Sequence, residues 1–167
     1  MAHVQSATAT STPELVRLLR IRHEEILEGA TAALTSSRIR HYNSLASTEV
    51  RLRLENLYMR VVDAVEHRDL TQICAYGREL ARERYENGYD LGELQTAFNA
   101  MEEALWRTIL HVAPPALHAE ALALVTTVVG AAKDSLAREY VSLSARHRAP
   151  ALDVGRLFEG VERVEGP

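Results

Sequence analysis

Apolar residues recur along this chain at spacings of three and four, the period of a helix with one buried stripe. No stretch shows the strict alternation of a half-buried strand. The clearest case starts after Asp90 and stops before the Pro114-Pro115 pair, with Leu91, Leu94, Phe98, Met101, Leu105 and Val112 on one seam and Thr108 in its gap. The turn that precedes this helix is equally explicit. Gly88 follows a run of helix formers, where a left-handed residue ends a helix without a Cβ clash. Asp90 then stands as N-cap with Glu93 at the third helical position, a capping box, and Tyr89 and Leu94 flank it as a hydrophobic staple. Arg84, Gly88, Tyr89, Asp90, Glu93 and Leu94 are thus expected to form a structural junction between two helices.

The rest of the chain is organised in the same way. A first helix is predicted from Ser11 or Thr12 as N-cap, through Pro13, to about Thr35, with Leu15, Leu18, Leu19, Ile26, Ala30, Ala33 and Leu34 inward and Arg22 interrupting the stripe. Ser36 to Ser47 has little periodicity and reads as a loop or broken turn whose Tyr42 and Leu45 cover one end of the core. A second helix runs from Thr48 to Glu66. Asp69 and Gln72 repeat the capping-box pattern and open a third, ending at Gly88, in which Cys74, Gly77 and Ala81 are small enough to admit a close neighbour.

The last long helix, Ala116 to Ala145, breaks the single-stripe rule, because Leu122, Leu124, Val125, Val128 and Val129 do not fit one narrow face. Such a helix has two partners. Either it is central to the domain, or one side meets a second copy of the chain, and both can hold. The expected arrangement is a homodimer with Leu122, Val125, Val128 and Val129 at the interface, since a large apolar patch is unusual on a monomer. Ala149-Pro150 ends the pattern, and the tail repeats helical spacing at Val154, Leu157, Phe158 and Val161 after Asp153. The reading is all-α: a disordered leader over 1–12, one antiparallel bundle of five or six helices over 13–148, and a connector or tail over 149–167.

Composition narrows the function classes. With 167 residues the chain suits one domain, and with 47% hydrophobic but only 5% aromatic residues its core is mainly Leu, Val and Ala. A formal net charge of −4 gives no electrostatic footprint for nucleic acid or an anionic membrane. The N-terminus lacks the features of a secretory signal, and no apolar run approaches the roughly twenty residues needed to span a bilayer. A soluble protein is expected. The single cysteine, Cys74, cannot form an intramolecular disulfide, which makes the cytoplasm the default location.

Chemistry is sparse. Among the seven histidines there is no HExxH pair and no Glu-x-x-His of the di-iron bundles, and His118-Ala119-Glu120 lacks the later cysteines of a zinc deaminase. No catalytic residue, metal or cofactor is assigned. Glu24, Glu25, Glu28, Glu102 and Glu103 read as solvated helix faces, His111 lies off the seam of its helix, and Trp106 beside Leu105 is either a packing residue or an interface anchor.

The run RERYENGYDLGELQTAFNAMEEALW resembles the N-terminal sensor domain of RsbR-type stressosome proteins, the RsbT co-antagonist family. The similarity extends over about Pro13 to Tyr140 and sets Arg84, Gly88, Leu91, Leu94 and Ala97 on that family's Arg, Gly, Leu, Leu, Ala pattern. It implies an all-helical, globin-like but non-haem input domain that is not an enzyme and that passes a signal to a regulatory protein partner or an output domain. Relatives carry an output domain after the helical one, whereas this sequence stops soon after its last long helix, as a stand-alone module or a piece of a longer protein would. A haem- or small-ligand-binding globin-like sensor is the alternative. The ligand-binding half of a helical transcription regulator is a more distant one, weakened by the lack of a basic helix-turn-helix segment.

Overall fold

Residues 8–37 and 39–148 are described by the computed structural model. Among them it contains seven helices and no strand: α1 (Thr8–Ile21), α2 (His23–Ser36), α3 (Arg40–Asn43), α4 (Ser47–His67), α5 (Thr71–Glu86), α6 (Leu91–Val112) and α7 (Pro115–Arg148). The expected tail helix with Leu157 and Phe158 lies outside the described residues, as does most of the expected leader. The count exceeds five or six for two reasons. The aperiodic segment after Ser36 holds the short α3, and the expected first helix is bent at Arg22.

The bend has a tertiary cause. The Tyr58 hydroxyl, buried in the core, donates to the Leu19 carbonyl at 2.9 Å, an acceptor that a straight helix would present to the His23 N–H. Arg22 still bonds back to Leu18 and Ile26 to Arg22, each at 3.0 Å, so the ladder passes through the bend. α1 is thereby turned onto α4 and α7 while α2 packs on α6 and α4.

Two expected caps are placed differently. α1 starts at Thr8, so Pro13 lies inside it. Thr12 is no N-cap; its hydroxyl accepts from Arg68 Nη2 at 2.6 Å and from Nε at 3.2 Å. Arg68 itself ends α4 with φ 50°, a left-handed conformation that costs a non-glycine residue energy. Its bonds to Thr12 and to Glu120 of α7, the latter at 3.0 Å, offset that cost. Asp69 accepts from the Thr71 N–H at 2.9 Å and from its hydroxyl at 2.7 Å, with no reciprocal bond from Gln72. The acid serves Thr71 alone.

α7 borders α1, α4, α5 and α6. It is the central helix, the first of the two arrangements expected from its apolar surplus. Val125 and Val129 are fully buried and Val128 is 3% exposed within the single chain, while Leu122 is half-buried. Other helices of the same chain cover the valine face, while Leu122 and Leu124 stay half-buried and Ala123 is exposed. Over Pro115–Arg146 the helix is also long and apolar enough, at a hydropathy of 1.4, to cross a bilayer by length and composition alone, contrary to the expectation that no such run exists. Of its most apolar window, 28% is buried inside the fold. The closest approach is to α5, where a Cβ on Gly77 would lie 2.7 Å from the Ala132 carbonyl oxygen.

Candidate functional site

Every bond in the junction between α5 and α6 follows from how the two helices end and begin. Gly88 has φ 78°; its N–H bonds to the Tyr85 carbonyl at 3.1 Å and the Tyr89 N–H to that of Arg84 at 3.0 Å, a Schellman closure. One residue on, the Asp90 carboxylate accepts the Glu93 N–H at 2.9 Å while Glu93 Oε2 accepts the Asp90 N–H at 3.1 Å. Two opposed caps therefore stand back to back, and Tyr89 between them has no freedom to swing. Its side chain is buried, as is that of Leu94.

The junction is extended by residues from three other helices. Glu93 accepts the His41 N–H at 3.2 Å and faces His41 Nδ1 at 2.7 Å. The His41 ring stacks on Tyr89 with centroids 4.3 Å apart, and Tyr42 meets Tyr89 edge-on at 5.9 Å. Arg53 of α4 donates to the Tyr89 hydroxyl at 2.8 Å, and Tyr140 of α7 donates to the Tyr89 carbonyl at 2.9 Å. Burial by itself would raise the Glu93 pKa, but the N–H groups of His41 and Asp90 and the His41 ring outweigh it and hold the carboxyl below its ordinary value. Glu93 is thus a charged tether between α3 and α6.

Beside the junction lies a cavity of about 300 Å³ between α4, α5 and α6, lined also by Tyr42 of α3. Its apolar lining includes Leu54, Leu57, Leu94 and Phe98. Its polar lining is Arg53, Arg60, Arg84, Asn56, Glu79 and Glu83, with Tyr42 and Tyr76. Burial pushes the Tyr42 hydroxyl up to about 12 against the opposing pull of Arg84 and Arg53, and burial likewise raises Tyr76. Both tyrosines are neutral donors near neutral pH. No histidine, cysteine or methionine lines the cavity. Among the described residues no group of three or more His, Cys, Asp and Glu could hold a metal ion.

Arg84, Gly88, Tyr89, Asp90, Glu93 and Leu94 are thus brought together, and Arg84 and Leu94 also line the cavity. His41, Arg53 and Tyr140 join them without any signal in the sequence pattern. Glu24, Glu25, Glu28 and Glu103 are exposed, and Glu102 pairs with Lys133 at 2.7 Å between α6 and α7.

No curated protein matches the chain. The family model described as the RsbT co-antagonist protein rsbRD N-terminal domain matches residues 23–153, from the first residue of α2 past the end of α7. All of the junction and all of the cavity lie within that span, and the chain belongs to the RsbT co-antagonist rsbRD N-terminal domain family.

Proposed function

We propose that this chain is the non-enzymatic signal-input and protein-interaction domain of a bacterial stress-response pathway, acting in the cytoplasm on a stressosome-type regulatory partner or output domain. Family membership supports the pathway. The observation that carries the mechanism is the bond from Tyr140 to the Tyr89 carbonyl, which ties the α5–α6 junction to the C-terminal third of α7. A shift of α5 against α6 is therefore felt where α7 leads out of the domain. The globin-like, non-haem character is part of this reading. Reconstitution with stressosome proteins tests it: the chain associates with them and changes their retention of RsbT. A chain that does neither overturns the reading.

The homodimer belongs to the same reading, with its surface moved off the buried valines. Trp106, 40% exposed, and Leu110, 52% exposed, lie one turn apart on the outer side of α6. Half-buried Leu122 belongs to α7, along which α6 packs. Sedimentation of the wild type and of Leu110→Glu decides: a dimer that becomes a folded monomer supports this face, and a wild-type monomer overturns it.

A further inference from the structure

His23 opens α2 at the bend, and its ring stands between two carboxylates. Glu24 Oε1 lies 3.3 Å from Nδ1, and Glu55 Oε1 of α4 lies 3.5 Å from Nε2. Nε2 is shut off from water and makes no hydrogen bond, one of two such side-chain atoms among the described residues, with Thr31 Oγ1. A neutral imidazole carries one N–H, so whichever nitrogen is bare turns a lone pair toward a carboxylate, and only the imidazolium offers a proton to both. Charge points the same way. Arg51 of α4 is bound to Glu24 at 2.7 Å, Arg20 of α1 to Glu66 of α4 at 2.6 Å, and Arg22 in the bend to Glu25 of α2 at 3.2 Å. Glu55 has no ion-pair partner but His23 among the described residues, so one proton on the ring balances the cluster. Tyr58, whose ring centroid lies 4.9 Å from that of His23, is pushed up to about 12 by burial and stays neutral. His41 is a different case, because Glu93 faces its Nδ1 alone and a neutral ring satisfies that bond.

We propose that His23 is a proton-operated clamp on the α1–α2 bend, closed on α4 when its ring is protonated and loosened when the ring is neutral. Histidine is the side chain that ordinarily changes charge near about pH 6.5. The ion pair with Glu55 needs the proton, so its contribution to stability is present at mildly acid pH and lost as pH rises. The Glu55 side chain is 40% exposed, and water therefore keeps that contribution modest. Position gives the proton its effect. Tyr58, against which the His23 ring lies, carries the hydroxyl that holds the Leu19 carbonyl, so the histidine touches the residue that makes the bend. α2 packs on α6 as well as on α4, and a change in how its first turn sits on α4 is passed to the helix that starts at the Asp90 cap. The inference gives the input reading a stimulus, a fall in pH, and rests on that reading only for its use in signalling; the clamp itself stands on the geometry at the bend.

Urea unfolding of the full chain at about pH 5.5 and about pH 8 tests it, for wild type, His23→Gln, Glu55→Gln and the double variant, with His67→Gln at an exposed histidine as control. The coupling between His23 and Glu55 in this cycle is expected to be about threefold in the folding equilibrium at the lower pH and to vanish at the higher one. In NMR spectra over the same range the amides of residues 20–27 are expected to move with the titration of the His23 ring, to stay still in His23→Gln and to move as in wild type in His67→Gln. If His23→Gln does not fold, Glu55→Gln alone provides the test: it leaves the histidine in place, and its stability deficit against wild type is expected at the lower pH and not at the higher. Coupling or a deficit that is equal at both pH values, amides of residues 20–27 that stay still in wild type, or movement that survives in His23→Gln overturns the proposal. None of these outcomes bears on association with stressosome proteins, so the two readings fail separately.

Discussion

The Tyr140 hydroxyl of α7 lies 2.9 Å from the Tyr89 carbonyl, so the one residue between the two helix caps is held by its backbone to the longest helix and by its ring to α3. Tyr140→Phe removes that donor and leaves the ring against Tyr85, with centroids 5.1 Å apart, in place. The expected loss is about 1 kcal/mol in urea unfolding, with faster hydrogen exchange at residues 88–91 than at the middle of α6. Unchanged exchange would mean that the bond does not hold the turn.

The two caps lend themselves to a paired test. Asp90→Ala deletes the acceptor for the Glu93 N–H and is expected to cost about 1 kcal/mol. Gly88→Ala forces a Cβ into φ 78° and is expected to cost about 1–2 kcal/mol, although nothing crowds the site. Because the residues share one turn, the double variant should lose less than the sum of the two. Additive losses measured by chemical denaturation would show that the caps act independently.

These caps were legible in the sequence because their signals are local. Gly88 needs only its own φ, and Asp90 with Glu93 needs only a spacing of three. The partners of Tyr89 were not legible: His41 and Tyr42 come from the aperiodic stretch before α4, and nothing in the period of α4 marks Arg53 as inward. The bend at Arg22 was hidden as well. Leu19 and Ile26 keep the same helical phase on either side of it, and its cause is a hydroxyl supplied by Tyr58, far along the chain. The period of α7 revealed surplus apolar faces at Val125, Val128 and Val129, but a period cannot say whether a face meets its own chain or a second copy. The cavity was illegible because it needs α4, α5 and α6 at once.

Glu93 predicts an acid limb in stability. Its folded pKa lies below the ordinary glutamate value of 4.5, so folding favours the ionised form. The contribution is complete above the unfolded pKa and is lost as pH falls through the lowered folded value. Glu93→Gln should therefore cost about 2 kcal/mol at neutral pH, as the charged bonds to His41 and Asp90 become neutral ones, and the gap to wild type should narrow as pH falls below the ordinary carboxylate range. Melting curves across that range check it. A gap independent of pH would assign the loss to shape rather than charge.

Gly77 supplies the sharpest contrast. In the interior of a helix, glycine to alanine is ordinarily favourable by about 1 kcal/mol, because the backbone has less freedom to lose. At Gly77, however, the new Cβ would sit 2.7 Å from the Ala132 carbonyl oxygen and 3.3 Å from the Leu136 nitrogen. Both are backbone atoms of α7 and cannot rotate aside as the tip of a side chain could. α5 and α7 would have to separate, and overpacking of this kind costs about 1–3 kcal/mol. The clash is expected to win, for a net destabilisation of about 1 kcal/mol or more. Gly29 of α2 is the control, since its Cβ would lie 3.7 Å from the Ala104 Cβ, an ordinary contact. There the propensity term stands unopposed, and Gly29→Ala is expected to raise stability by up to about 1 kcal/mol. Opposite shifts in the denaturation midpoint for the same substitution would establish that α5 and α7 meet through backbone at Gly77, and shifts of the same sign would refute that contact.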